Sequence, residues 1–106
     1  MISAKVSEAI GYAFLDLGVK VVTQVPGFGV GETIQNFSLL AERTVPLSFN
    51  EEVAYTIAHG ASLVGKRAAS IMKSHGMLKA ANSIVDSLYT DLTAGLVVIL
   101  FDDKTG

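Results

Sequence analysis

The residue best placed to do chemistry is Glu51. It follows a short polar turn, Ser48-Phe49-Asn50, and opens a stretch in which Val53, Ala54, Ile57, Ala58 and Ala61 recur at helical spacing. A carboxylate there faces the unpaired amides of a first helical turn, which attract negative charge. It can hydrogen-bond a ligand or exchange a proton with it. Acidic residues also occupy first turns for structural reasons alone, and the neighbouring Glu52 reads that way. His75, in Lys73-Ser74-His75-Gly76, is a second group suited to proton transfer. A lone loop histidine is nonetheless more often a surface or hydrogen-bonded structural residue, and His59 falls inside a helical pattern with no role beyond packing or surface. A third pattern, Gly27-x-Gly29-x-Gly31, lies between a strand and a helix, with Glu51 about twenty residues further on, and imitates a dinucleotide-binding fingerprint. Its third glycine comes one residue early, Glu32 would repel a pyrophosphate, and Pro26 stiffens a turn that needs close approach. No metal is expected, because the two histidines and Asp102-Asp103 show no ligand spacing. Without cysteine, thiolate catalysis and cysteine-ligated iron–sulfur clusters are excluded within these residues.

The elements that must position these residues follow from periodicity. Val6, Ala9, Ile10, Ala13, Phe14 and Leu17 predict a first helix, with Ser3 to cap it and Gly18 to end it. Residues 19–25 read as a strand broken by Pro26-Gly27, and residues 32–42 as a helix with Ile34, Phe37 and Leu40-Ala41 inward. Residues 44–49 read as a short second strand, bent or at an edge because of Pro46. The helix opened by Glu51 ends near Gly65, residues 67–72 form another strand, and residues 73–76 form a loop. A fourth helix is expected over 78–89, with Ala81, Val85 and Leu88 on one face. Residues 95–101, apolar throughout, read as a strand covered on both faces.

The alternation α-β-α-β-α-β-α-β implies a three-layer α/β/α domain with a mainly parallel sheet. Ligands of such sheets sit beyond the carboxyl ends of the strands. Those ends carry Pro26-Gly27-Phe28-Gly29, Asn50-Glu51, Lys73-Ser74-His75-Gly76 and Asp102-Asp103, which are the polar and glycine-containing segments. At 106 residues the chain fits one domain. A last strand this apolar calls for neighbours and two helix layers, so the chain reads as a fragment, or as a small subunit finished by a partner.

Half the residues are hydrophobic, 17% are charged and the net charge is −2, so there is no electrostatic footprint for nucleic acid or anionic lipid. The apolar surplus would serve either a buried sheet or an oligomer interface. A non-catalytic interaction domain therefore stands as an alternative of another class. The first residues lack a signal-peptide pattern, and the longest apolar run, Leu96 to Phe101, is far short of a membrane span. A cytoplasmic location is expected.

The run Ser48-Phe49-Asn50-Glu51-Glu52-Val53-Ala54, followed by Gly60-Ala61-Ser62-Leu63-Val64-Gly65, resembles the N-terminal region of indolepyruvate:ferredoxin oxidoreductase alpha subunits. Those have an N-E-x-V-A helix start and a G-A-S-x-x-G ending at the same spacing. The resemblance continues without a gap through Met72-Lys73, Gly76, Ala80-Ala81, Tyr89-Thr90, Gly95-Leu96 and Asp102-Asp103. Upstream, Gly18-Val19 and Val25-Pro26-Gly27 resemble the family's first strand and its P-G turn. The alpha chains of sulfopyruvate and phosphonopyruvate decarboxylases are similar too, through the acidic helix start and a G-A-x-x-x-G pattern.

The resemblance implies a pyrimidine-binding (PYR) domain of a thiamin-diphosphate enzyme acting on 2-oxo acids, spanning residues 1–106 as one incomplete unit. It implies that Glu51 hydrogen-bonds and exchanges a proton with the N1′ nitrogen of the cofactor's aminopyrimidine, promoting the tautomer that activates the thiazolium carbon. Pro26, Gly27 and Gly76 are carried over as cofactor-binding residues. The magnesium and the diphosphate would be held by a separate diphosphate-binding domain or subunit, whose G-D-G…N-N motif is absent here. An oligomer, homomeric or heteromeric, is therefore expected, inactive as this chain alone. Two departures bear on substrate. The family commonly continues P-G-T-P where this chain has Pro26-Gly27-Phe28-Gly29, which puts Phe28 at a position associated with substrate contact. The family's H-V-G is Ser74-His75-Gly76 here, which sets His75 one position along. Asn82 and Ser83 replace a common aspartate and proline.

Overall fold

The computed structural model describes residues 4–91 and 93–102, with side chains from residue 6. The predicted Ser3 cap and Asp103 lie outside them. The elements are α1 (Ala4–Asp16), β1 (Val21–Gln24), α2 (Val30–Ala41), α3 (Glu51–Leu63), β2 (Ala68–Lys73), α4 (Ser74–Ser87) and β3 (Leu96–Phe101). The three strands form one parallel sheet in the order β1-β2-β3, with Val21 opposite Ala68 and Ala68 opposite Leu96. The chain has the expected three-layer α/β/α architecture, α1 and α2 covering one face and α3 and α4 the other.

Strand alternation sorts the core into two halves. On one face Val22, Ala69 and Ile71 meet Phe14, Val30, Ile34 and Phe37, with the Phe14 and Phe37 rings edge to face at 5.7 Å. On the other face Thr23 and Ser70 hydrogen-bond each other at 3.0 Å, and the Thr23 hydroxyl lies 2.7 Å from the Ala54 carbonyl. These buried hydroxyls tie α3 to the sheet, because an unpaired polar group there would be costly. The left-handed turns at Gly18 and Gly65 end α1 and α3 as the sequence suggested. At each, the glycine N–H reaches back three residues and the next N–H five, so two orphan carbonyls are satisfied.

Four expectations are corrected. Residues 44–49 form no strand, only a single parallel bridge between Leu47 and Gln24. The Ser48 N–H donates to the Gln24 carbonyl at 3.0 Å. Two residues earlier, where the next amide facing β1 would stand, is Pro46, which has none to donate. The Val45 carbonyl is instead taken by the Gln24 side-chain amide at 2.8 Å. The second correction concerns β3, which is an edge strand whose only buried residue is Phe101. Val97 stays 43% exposed, so the expected cover on both faces is missing among the described residues.

Third, α4 begins four residues early. Ser74, His75 and Gly76 are its first turn and not a loop, and Lys73 is both the last residue of β2 and the helix cap. Its buried residues are Gly76, Ala80 and Ser87, while Val85 and Leu88 face outward. At Gly76 the approach is so close that a β-carbon would stand 2.5 Å from Glu51 Cγ, so that position has room only for glycine. Fourth, α1 is rotated from its apolar stripe. Ser7, Gly11 and Phe14 are buried, and Val6 and Leu17 are exposed. A β-carbon at Gly11 would meet Leu40 Cδ1 at 3.2 Å and the Phe37 backbone nitrogen at 3.4 Å, so close approach to α2 decides which side faces in.

Candidate functional site

The carboxyl ends of β1, β2 and β3 and the start of α3 converge on one end of the sheet. Asn50 fixes the start of α3. Its backbone is extended, and its side-chain oxygen accepts the Val53 N–H at 2.9 Å, a regular N-cap. That cap sets the direction in which the next residue, Glu51, leaves the helix.

The Glu51 side chain lies across Gly76 in the first turn of α4. A β-carbon at Gly76 would stand 2.5 Å from Glu51 Cγ, 2.6 Å from Oε2 and 2.9 Å from Cδ. Gly76 is buried and Glu51 half-buried. The carboxyl therefore occupies a niche that exists because position 76 has no side chain. It stands at the start of its own helix and on the first turn of a second, where backbone amides favour an anion.

Gly27 is used in the same way. A β-carbon there would stand 2.5 Å from Lys73 Cγ and 2.6 Å from Cδ, so the stem of Lys73 lies across the Pro26-Gly27 turn. Pro26 and Gly27 are exposed at the rim. The Ser74 hydroxyl reaches the Asp102 carboxylate at 3.3 Å, and the Ser83 hydroxyl donates to Glu52 Oε2 at 3.0 Å. The β2–α4 junction thus touches the ends of all three neighbouring segments: Lys73 on Gly27, Gly76 on Glu51, Ser74 on Asp102.

Among the residues singled out from sequence, the structure brings Glu51 onto Gly76 and links the Pro26-Gly27 turn to the same junction through Lys73. Phe28 is half-buried and packs against the core cluster that contains Phe101. His75 is exposed on the first turn of α4. His59 stacks on Tyr55 at 6.0 Å and bonds the Thr90 hydroxyl through Nε2 at 3.0 Å, a contact between α3 and the chain after α4. Sequence reasoning passed over Lys73. The available signal was a lysine closing a strand of small and apolar residues at the end where ligands of such sheets sit.

The glycine pattern after β1 does not make a pyrophosphate cradle. Lys73 fills the space over Gly27, and the Phe101 ring fills the space over Gly29, where a β-carbon would meet it at 2.6 Å. Glu32 stands in the first turn of α2. Of the three glycines only Gly31 has open space where a β-carbon would stand, so the pattern as a whole does not offer the close approach that a dinucleotide needs. Among the described residues no three acidic, histidine or cysteine side chains group to hold a metal, and no helix is long and apolar enough to cross a membrane. A separate groove of about 350 Å³ runs along the free edge of β1, between residues 43–49 and α3, with Leu47, Phe49 and Ile57 on its walls.

No protein-family model matches the chain, and no solved structure gives a significant match. Curated proteins do match. The chain is 34% identical to the indolepyruvate oxidoreductase subunit IorA of Methanothermobacter thermautotrophicus, the match covering 93% of this chain and 16% of that protein. It is also 34% identical to IorA of Archaeoglobus fulgidus, over 93% of this chain and 17% of that protein. IorA of Pyrococcus horikoshii is 30% identical over 93% of this chain. The chain spans about a sixth of the length of these relatives. The resemblance to indolepyruvate oxidoreductase alpha subunits read from the residues is therefore upheld: over nearly all its length this chain is similar to part of the indolepyruvate oxidoreductase subunit IorA.

Proposed function

We propose that this chain is the aminopyrimidine-binding part of a thiamin-diphosphate-dependent 2-oxo acid oxidoreductase of the indolepyruvate type, with Glu51 as the residue that activates the cofactor. The observation that carries the reading is the seating of the Glu51 carboxyl on Gly76, at the carboxyl end of a parallel sheet. A ligand nitrogen arriving at this end would meet a carboxyl held in place by a capped helix on one side and a glycine niche on the other. The arrangement suits a group that must pass one proton back and forth without moving. The same rim offers the Pro26-Gly27 turn as backbone surface for the rest of the ring.

Thiamin diphosphate supplies, when bound, a nucleophilic carbon and an electron sink for decarboxylation of a 2-oxo acid. This chain's part is narrower. Glu51 holds and exchanges the proton on the pyrimidine, Gly76 keeps the carboxyl's position open, and the β2–α4 junction fixes both. The diphosphate and its magnesium belong to a diphosphate-binding domain or subunit, so activity requires an assembly and the chain alone is inactive. A cytoplasmic location accords with this reading. The names of the relatives favour oxidoreductase over the decarboxylase alpha chains as the reaction type.

The test is Glu51→Gln in the full-length enzyme that carries this chain, assembled with its partners. Glutamine keeps a hydrogen bond and loses the exchangeable proton. Thiamin diphosphate should still bind by calorimetric titration, while turnover of the 2-oxo acid falls at least about 100-fold, the usual scale for losing a general acid–base group. Near-normal turnover would sink the assignment.

A further inference from the structure

Val85 and Leu88, assigned by periodicity to the inner side of α4, face outward, and Ala80 and Ser87 are buried instead. Opposite that buried pair the helix presents the row Leu78, Asn82, Val85 and Tyr89, which alternates steps of four and three residues. Leu78 is 71% exposed and Tyr89 86%. Ala81 and Leu88 flank the row on one side. Leu88 keeps right-handed helical backbone, and the Tyr89 N–H reaches the Asp86 carbonyl at 3.1 Å, so regular geometry carries the row to its end. A row with this spacing is the seam by which two helices pack side by side.

The other flank carries Lys79 and Asp86. Both are exposed, and among the described residues neither has an ion pair. They stand seven residues apart on one side of the helix, about 10 Å along its axis at about 1.5 Å per residue, too far to pair with each other. In two antiparallel copies related by a two-fold axis, each residue meets the one equally far beyond the centre, on the same flank. Centred between Ser83 and Ile84, such a pair sets Leu78 against Tyr89 of the second copy and Asn82 against its Val85. It also brings Lys79 beside Asp86 of the second copy, twice over. The two Asn82 side chains fall near the axis, where a polar group in an apolar seam fixes register. A parallel pair would put the charged flank against Ala81 and Leu88, leaving both charges without a partner. The face is therefore complementary to itself, in apolar row and in sign of charge, in the antiparallel arrangement alone.

We infer that the outer face of α4 is a contact between two copies of this chain, antiparallel about a two-fold axis beside Ser83. The inference stands apart from the reading of Glu51. The experiment uses the full-length subunit that carries this chain. Two variants, Lys79→Glu and Asp86→Lys, are co-expressed and treated with a carbodiimide, which joins an amine to a carboxylate only where they touch. One variant then has carboxylates at both positions and the other amines at both, so any amide between positions 79 and 86 joins two copies. The expected result is a dimeric product with that linkage, found by peptide mass spectrometry, and none from either variant alone. Adding Val85→Asp to both copies puts a charge into the seam and should lower the yield at least about tenfold, with the circular dichroism spectrum unchanged. If Val85→Asp does not fold, Tyr89→Asp takes its place.

Absence of the 79–86 amide from the co-expressed copies overturns the inference. Cross-links from these positions to another segment of the polypeptide, or to a different subunit, would then identify what covers the face. A yield that the seam variant leaves unchanged overturns it as well, because coupling would then occur without the seam.

Discussion

The carboxyl of Glu51 and the α-carbon of Gly76 are so close that any side chain at position 76 would displace one of them, a β-carbon there standing 2.6 Å from Glu51 Oε2. Two helices, α3 and α4, are thereby locked at their starts by a residue that has no side chain.

Gly76→Ala sets two effects against each other. Replacing glycine by alanine within a helix gains up to about 1 kcal/mol, and less in a first turn. Forcing a methyl group into an occupied niche costs about 1–3 kcal/mol. Overpacking should win, so the variant is expected to unfold at lower urea concentration than the parent. In the assembled enzyme its thiamin-diphosphate affinity should fall with it. An unchanged midpoint and affinity would mean that Glu51 moves aside freely.

Asn50→Ala removes the cap of α3 and should cost about 1 kcal/mol, with Asn50→Asp close to neutral because it keeps the acceptor. The cap bond is the 2.9 Å contact to the Val53 N–H. Loss of helicity confined to residues 51–54, followed by amide chemical shifts, would locate the effect at the residue that aims Glu51.

The bond between the Tyr55 and Ser87 hydroxyls, 2.6 Å long, joins α3 to the end of α4 inside the protein. Ser87 also donates to the Ile84 carbonyl at 2.6 Å, so Tyr55 is the donor of the pair. Tyr55→Phe leaves Ser87 satisfied and should cost about 1 kcal/mol. Ser87→Ala strands a buried hydroxyl and should cost more, about 1–3 kcal/mol. Chemical denaturation of the two variants should rank them in that order, and the reverse order would place the donor wrongly.

Pro46→Val supplies the amide that the ladder beside β1 lacks. The expected result is a second hydrogen bond, to the outward carbonyl of Val22, seen as slowed exchange of the new amide at position 46. Exchange at the rate of an open chain would show that Val45 and Gln24, and not the proline, hold the segment off the sheet.

Much of this arrangement was legible in the sequence, for physical reasons that differ by element. The turn before Glu51 and the glycines at 18 and 65 were readable because caps and left-handed turns are local chemistry. The parallel sheet followed from alternation. What could not be read was set by approach between elements. Nothing local says that Ser7 and Gly11 outrank Val6 and Leu17 for the inner face of α1, or that Val85 and Leu88 face out. Those choices come from how near α2 lies to α1, and how near its neighbours lie to α4. The start of α4 was misread for a related cause: Lys73-Ser74-His75-Gly76 has the composition of a loop. The seating of Glu51 on Gly76 and of Lys73 on Gly27 becomes visible only when those segments are placed side by side.

The passage of β2 directly into α4, with no residue between Lys73 and Ser74, also bears on the thermodynamics of any ligand that meets this end of the sheet. Every residue from Ala68 to Met72 is 1% exposed or less, so the groups that follow are anchored to a fully buried strand. A ligand docking on a flexible loop must immobilise it, at about 0.5–1.5 kcal/mol for each rotamer-rich side chain. Here that ordering was completed when the protein folded, so a ligand meeting this end of the sheet would lose little of its binding energy to immobilising the protein.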